Sequence, residues 1–282
     1  MTIPKMKVTS LSDIAGRVAR ETLGADTVTV GGVCIPTGAI SFIRKKIPRD
    51  FPKWRNASDS DIKFILKILL QESLSISATA LRKPPDIWVS FWNDAETTHA
   101  KTSQLSSGTM SFVKAATIIK FALFGKSAAL ATAHAIKISG ISNSIRSRKK
   151  LLIERSLIFD REIEGKDNLE ALKSIVEASN LHQPKTNQLG VCIKTIDVKL
   201  STEQQEPLLL LPDYVAGIVH AAHSTVDTLS ASNVSYDEVR SAQAALLKSK
   251  KYIGIAEDFN LRYFDIFPDF EKLTTTGLLT GC

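Results

Sequence analysis

Stretches with the alternating pattern of β-strands follow one another along the chain, separated by helical stretches, and this order constrains the fold most. Residues 27–36 are rich in β-branched side chains and end at Pro36, which predicts a strand. Residues 151–160 end an apolar run at Asp160, as a buried strand does. Between them, Asp59–Glu72 has apolar residues at helical spacing. This mixture predicts an α/β fold in which helices cover a sheet.

The same patterns predict the remaining elements. Strands are predicted at Lys7–Asp13, Ser75–Leu81 and Val191–Leu200, and the first can pair with residues 27–36 as a hairpin. Helices are predicted at Ser111–Ser139 (one or two), Asn168–Ser179, Pro212–His223 and Asp237–Lys248, before an aromatic-rich tail at Tyr252–Phe270. No internal repeat or low-complexity linker interrupts this order, which favours one principal domain.

The net charge of +7 is concentrated in two short segments. With 44% hydrophobic and 23% charged residues, the composition excludes wholesale disorder and collagen-like repeats. Each segment has a single acidic residue, Asp50 in the first and Glu154 in the second. Together the two segments carry more net positive charge than the whole chain, so the rest of the chain is slightly acidic. The segments either contact a polyanion or form solvated surface. Their basic residues are Arg44, Lys45, Lys46, Arg49, Lys53 and Arg55, and Arg146, Arg148, Lys149, Lys150 and Arg155.

Three cysteines with no CxxC or Cys/His spacing exclude a disulfide framework and a structural zinc site, so we expect a reducing cytoplasm. Lysines interrupt the apolar run Phe112–Ile138, and no apolar segment follows Lys5 and Lys7, so neither a membrane span nor a secretory signal is predicted. Gly31-Gly32 lacks the spacing of a nucleotide-binding loop, and no small-molecule cofactor is indicated.

Three aspartates are the candidate functional residues. Asp160 ends a predicted strand, where ligands bind in α/β sheets. Asp213 begins an otherwise apolar helix, and Asp13 closes the first strand. Each has a structural alternative: Asp160 as a turn residue, Asp213 as a charge complementing the helix N-terminus, and Asp13 as a cap for a helix running towards Leu23.

The surroundings of these aspartates resemble a family of unknown function with a ribonuclease H-like fold. The resemblance lies in Asp13-Ile14-Ala15-Gly16, Val30-Gly31-Gly32-Val33, Ile158-Phe159-Asp160-Arg161 and Leu211-Pro212-Asp213-Tyr214-Val215-Ala216-Gly217. In that family, an Asp-Glu-Ser-Gly motif follows the first strand, an Asp-Arg pair follows a middle strand, and an Ala-Asp-x-x-Ala-Gly helix lies near the end. The resemblance implies a ribonuclease H-like mixed sheet flanked by helices over residues 1–223, with a helical insertion near 111–139 and a helical, aromatic-rich extension at 224–282.

The resemblance also implies a function. Asp13, Asp160 and Asp213 would converge at the carboxyl edge of the sheet and bind Mg²⁺ or Mn²⁺ for phosphodiester hydrolysis. Arg44, Lys45, Lys46 and Arg49 would contact the nucleic-acid backbone. The sequence departs from the family where Ile14-Ala15 replaces Glu-Ser, and where Leu200-Ser201 replaces an Asp-Ser pair, with Asp197 or Glu203 only nearby.

These departures leave three hypotheses about the function open. The leading one is a metal-dependent nuclease or phosphodiester hydrolase. The second is a catalytically inactive module that binds nucleic acid or protein on the same fold. The third is a structural protein that uses the Ser111–Ser139 helices and the aromatic tail as an oligomer interface. The segment at 146–155 precedes the strand that ends at Asp160, so it is expected at the strand end opposite the proposed metals.

Overall fold

The computed structural model shows a six-stranded mixed sheet with helices packed against it. It describes residues 5–16, 28–71, 74–81, 151–161, 191–227 and 262–266, with individual residues between 93 and 135 and between 169 and 172. The strands are β1 (Lys5–Ala15), β2 (Val28–Pro36), β3 (Ser75–Leu81), β4 (Leu151–Asp160), β5 (Val191–Ser201) and β6 (Arg262–Ile266). The helices with described bounds are α1 (Ile40–Lys46), α2 (Asp59–Gln71) and α3 (Leu210–Asp227).

The strand order across the sheet is β5-β4-β1-β2-β3-β6. The first three strands form an antiparallel meander, which confirms the predicted hairpin of the first two. β4 and β5 add to the other side of β1 as parallel strands, and β6 lies parallel to β3. The predicted fold class, an α/β fold with a mixed sheet flanked by helices, is confirmed. The carboxyl ends of β1, β4 and β5 therefore lie at one edge of the sheet.

β1 continues two residues beyond the predicted end at Asp13. Asp13 pairs with Gly31 of β2 and Ala15 with Thr29, and the strand ends before Gly16, whose positive φ of 93° suits glycine. The alternative that Asp13 caps a helix is wrong, because its backbone belongs to the strand ladder.

Helix α3 packs on one face of the sheet, here called the front face. Gly31 of β2 allows the helix backbone to lie close to the strand. A Cβ on Gly31 would lie 2.2 Å from the carbonyl oxygen of Pro212 and 2.7 Å from the amide nitrogen of Ala216. The backbones of β2 and α3 are therefore in direct contact. Helix α2 packs beside α3, and buried aliphatic side chains of both helices and of the sheet form the main core, among them Leu11, Val33, Ile65, Leu69, Leu211 and Val215.

The back face of the sheet is covered by helical residues between 117 and 135. Phe124 stacks on Phe159 of β4 with ring centroids 5.1 Å apart. Sheet hydroxyls also contact this layer: Ser75 Oγ donates to the carbonyl of Ala131 at 2.6 Å, and Ser10 Oγ lies 3.0 Å from Thr132 Oγ1. The described residues of the predicted Ser111–Ser139 helix are thus helical, and its remainder lies outside the described residues.

The second basic segment differs from the prediction at its end. Arg155 was predicted to belong to a surface charge patch, but it is a buried residue of β4, and its guanidinium donates to Thr195 Oγ1 of β5 at 3.1 Å. The alternation of β4 places this side chain on the back face of the sheet, where it is buried, so it does not contribute surface charge. Residues 146–150 lie outside the described residues.

Several predictions fall partly or wholly outside the described residues. Asn168–Ser179 is described only at residues 169, 170 and 172, which are helical, and the Asp237–Lys248 helix is not described. Of the aromatic-rich tail, only β6 is described. The division into a core at 1–223 and an extension at 224–282 stays a prediction. Among the described residues, no helix is both long and apolar enough to cross a membrane.

Candidate metal centre

Three carboxylates meet at the edge of the sheet where β1, β4 and β5 end. Asp13 lies on β1, Asp160 is the last residue of β4, and Glu203 follows β5 by two residues. One carboxylate oxygen from each lies within 4.8 Å of those from the other two. All three residues are buried, with exposed fractions of 3%, 6% and 7%. We call these three residues the acidic cluster.

The parallel register explains how Asp13 and Asp160 come together. Ser12 of β1 pairs with Phe159 of β4, so the next residue of each strand brings the two aspartates side by side. Both side chains point to the front face, since successive residues of a strand point to opposite faces and Leu11 and Ile158 pack into the front-face core. Asp13 Oδ1 accepts from the amide of Ile14 at 2.6 Å, and Asp160 Oδ1 accepts from the amide of Arg161 at 2.8 Å.

A turn after β5 brings Glu203 close to Asp13 and Asp160. The amides of Gln205 and Glu206 donate to the carbonyl of Thr202 at 3.0 and 2.8 Å, which folds the chain back after β5. The sequence singled out Glu203 only as a nearby acid, because the turn could not be predicted. Its position just beyond a parallel strand was the available signal.

Asp213 lies at the rim of the acidic cluster, in the first turn of α3. Its Oδ2 accepts from the amide of Trp54 at 2.7 Å. The first-turn position agrees with the helix-terminus alternative, but the side chain also binds outside its own helix. Asp213 does not belong to the acidic cluster, in which each residue offers an oxygen within 4.8 Å of the others. Its negative charge nevertheless raises the pKa of Asp13. Metal binding by Asp13, Asp160 and Asp213 stays a prediction.

The pKa values of Asp13 and Asp213 are raised because these carboxylates are buried close to other negative charges. Burial raises the pKa of Asp13 well above its ordinary value, and the negative charges of Asp160, Asp213 and Glu203 raise it further, against the hydrogen bond from Ile14. Burial raises the pKa of Asp213 to about 6, although the hydrogen bond from Trp54 and the charge of Lys53 oppose the rise. Without a cation, these two carboxylates are therefore harder to ionise in the folded protein than in water.

A pH-dependent stability follows for the metal-free protein. Because the folded pKa of Asp13 exceeds its unfolded value near 3.8, folding becomes less favourable as pH rises through the folded pKa. Asp13→Asn has no such charge. We expect the Tm of Asp13→Asn minus that of the native sequence, measured in EDTA, to grow more positive between pH 5 and pH 8. A difference that is constant or shrinks over this range would contradict the raised pKa.

The residues predicted to contact nucleic acid lie on α1 and just after it. Lys45 and Arg49 are exposed, and the Lys46 ammonium lies 4.4 Å from the centre of the exposed Phe42 ring. Arg44 instead forms a two-pronged ion pair with Glu206, with Nε to Oε1 at 3.0 Å and Nη2 to Oε2 at 2.6 Å. This pair joins α1 to the turn before α3. Nucleic-acid binding by these residues stays a prediction.

A cavity of about 520 Å³ opens on the front face between β4, β5 and α1. Ser201, which pairs with Asp160 across β5 and β4, lies on its wall. The cavity continues along β4 and β5 past Lys199 to Ile40 and Arg44 of α1. The cavity therefore lies between the sheet and α1, which carries part of the first basic segment.

Comparison with known proteins yields a weak likeness. No protein-family model and no curated protein matches the chain. Two solved structures of Bst-RNase HIII match: a mutant, at a TM-score of 0.39, 11% identity and 91% coverage of this chain, and a complex with Mn²⁺, at a TM-score of 0.35, 12% identity and 89% coverage. This chain spans 66% and 65% of their lengths. Both TM-scores are below 0.5, and the acidic cluster is defined by this chain's own residues alone.

Proposed function

We propose that this protein is a divalent-metal-dependent nuclease or phosphodiester hydrolase on a ribonuclease H-like sheet. The observation that carries the proposal is the convergence of three buried carboxylates, Asp13, Asp160 and Glu203, from three chain segments at one sheet edge. Buried carboxylates that repel one another cost folding free energy unless a cation or protons neutralise them. A function that requires a cation accounts for this arrangement.

The residues present fit Mg²⁺ or Mn²⁺. All the donors are carboxylate oxygens, which hard divalent cations prefer, and no described histidine or cysteine belongs to the cluster. The raised pKa of Asp13 supports the fit, because a bound cation would favour the ionised form that burial disfavours. When bound, such a cation activates water and stabilises charge on a phosphodiester.

The chain's own residues position the carboxylates and supply a proton acceptor. Asp13 and Asp160 hold their carboxylates in place through the backbone amides of Ile14 and Arg161. Asp213 lies at the rim of the cluster with a pKa of about 6, so its carboxylate can accept a proton from water near neutral pH. The buried surroundings of the acidic cluster exclude bulk water and strengthen each of these interactions.

The first basic segment supports a polyanionic substrate. Ser201, which pairs with Asp160, lines the same cavity as Arg44 of α1, and Lys45 and Arg49 are exposed next to that helix position. Positive side chains there can bind backbone phosphates and position the strand without reading its sequence. Because Arg44 is held by Glu206, we expect Lys45 and Arg49 to contribute more of this affinity.

Calorimetric titration with Mn²⁺ tests the metal site directly. We expect the native sequence to bind Mn²⁺ and Asp160→Asn to bind at least about tenfold more weakly, because a charged ligand is lost. Glu154→Gln is the matched control: Glu154 lies on the same strand about 20 Å away and pairs with Lys5 and Lys7. The same affinity in all three proteins, or no binding to the native sequence, would favour the inactive binding module.

A further inference from the structure

A lysine from the first basic segment reaches the acidic cluster. The Lys53 ammonium forms an ion pair with Glu203 Oε1, and the lysine side chain is only 37% exposed. Burial lowers the pKa of Lys53, but the contact with Glu203 and the charges of Asp160 and Asp13 outweigh it and raise the pKa. The ammonium is therefore a fixed positive charge beside the carboxylates.

The backbone on both sides of Lys53 is bound to α3. The hydroxyl of Tyr214 donates to the carbonyl of Pro52 at 2.9 Å, and the amide of Trp54 donates to Asp213 Oδ2 at 2.7 Å. Two adjacent residues of α3, Asp213 and Tyr214, therefore hold the residues that flank Lys53.

The Trp54 ring adds a steric constraint on this segment. It contacts the Tyr214 ring edge-on, with centroids 5.8 Å apart, and lies directly against Gly217 of α3. A Cβ on Gly217 would lie 2.2 Å from a ring carbon, so only glycine leaves room for the indole. The segment that carries Lys53 is held in one place by hydrogen bonds and packing. The position of its ammonium is therefore built into the fold.

We infer that Lys53 is an internal counter-cation whose ammonium occupies the position beside Glu203 that a second divalent ion would need, so that this centre binds a single divalent ion. The Lys53 ammonium, held against Glu203 Oε1, repels a second cation at short range and uses an oxygen that a second ion would need. Asp13, Asp160 and the other carboxylate oxygen of Glu203 remain as ligands for one ion, with Asp213 at the rim. The single-ion part of this inference rests on the proposed function.

The stoichiometry of Mn²⁺ binding to the full chain tests the inference. We expect one Mn²⁺ per chain for the native sequence and for Lys53→Arg, which keeps the charge. Lys53→Met, which keeps the aliphatic length, should bind a second ion or bind the first at least about tenfold more tightly. Lys63→Met, an exposed position of α2, should match the native sequence. Two ions bound to the native sequence, or unchanged binding by Lys53→Met, would overturn the inference.

The Tm in EDTA tests the counter-cation role without metal. Lys53→Met should lower the Tm at pH 7 by several degrees, because the buried carboxylates lose their neutralising charge, whereas Lys53→Arg and Lys63→Met should not. An unchanged or higher Tm for Lys53→Met would overturn the role. If the native sequence binds no Mn²⁺, the proposed function and the single-ion stoichiometry fail, and the Tm measurement still decides whether Lys53 neutralises the cluster.

Discussion

Asp160→Asn should reduce Mn²⁺-dependent cleavage of nucleic acid by on the order of 10³-fold. Asp160 is the last residue of β4, and its carboxylate has an oxygen within 4.8 Å of those of Asp13 and Glu203 in the acidic cluster. An amide is nearly isosteric but neutral, so the substitution removes charge without opening a cavity. The loss should appear in the rate at saturating Mn²⁺, measured on single-stranded and double-stranded substrates labelled at one end.

Glu154→Gln is the control for this loss, since it neutralises a carboxylate at the opposite end of the same strand. Its cleavage rate should equal that of the native sequence. Circular dichroism should show the same fold in both variants. Unchanged cleavage by folded Asp160→Asn would show that the acidic cluster is not the active site.

Gly31→Ala should destabilise the protein by about 3 kcal/mol. The added Cβ would meet backbone atoms of Pro212 and Ala216 at 2.2 and 2.7 Å, and backbone atoms cannot rotate aside as a side chain can. Helix α3 would have to move away from β2 and would carry Asp213 with it. Chemical denaturation measures the loss as a lower midpoint.

Gly38→Ala is the matched control, because no atom lies within 4 Å of a Cβ at that position. Its stability should stay within about 0.5 kcal/mol of the native value. Equal stability of the two alanine variants would contradict the direct contact of β2 with α3. A larger loss of Mn²⁺ affinity in Gly31→Ala than in Gly38→Ala would further support the role of α3 at the metal centre.

The elements nearest the site were predictable from local patterns. β4 and β5 begin within one residue of the predicted bounds, because their apolar residues and the polar residues after them are local signals. α3 begins two residues before the predicted Pro212, which lies in its first turn as expected. The end of β1 was missed, since Ile14 and Ala15 carry no signal that distinguishes a strand from a break.

The acidic cluster was predictable only in part. Asp13 and Asp160 were identified because each was expected at a strand end, and the parallel pairing of β1 with β4 brings them together. Glu203 was noted only as a nearby acid, because its approach depends on the turn after β5. Lys53 was counted with a surface charge patch, although its ammonium contacts the cluster.

The sequence by itself determined the alternation of strands and helices, the α/β class and the placement of aspartates at strand ends, because these depend on residues close together in the chain. The tertiary structure alone decided which charges meet. Lys53 and Glu203 are 150 residues apart, and they come together because Tyr214 and Asp213 bind the residues on either side of Lys53. The same basic segment thus supplies exposed charge at Lys45 and a half-buried counter-charge at Lys53, a difference that only packing against α3 creates.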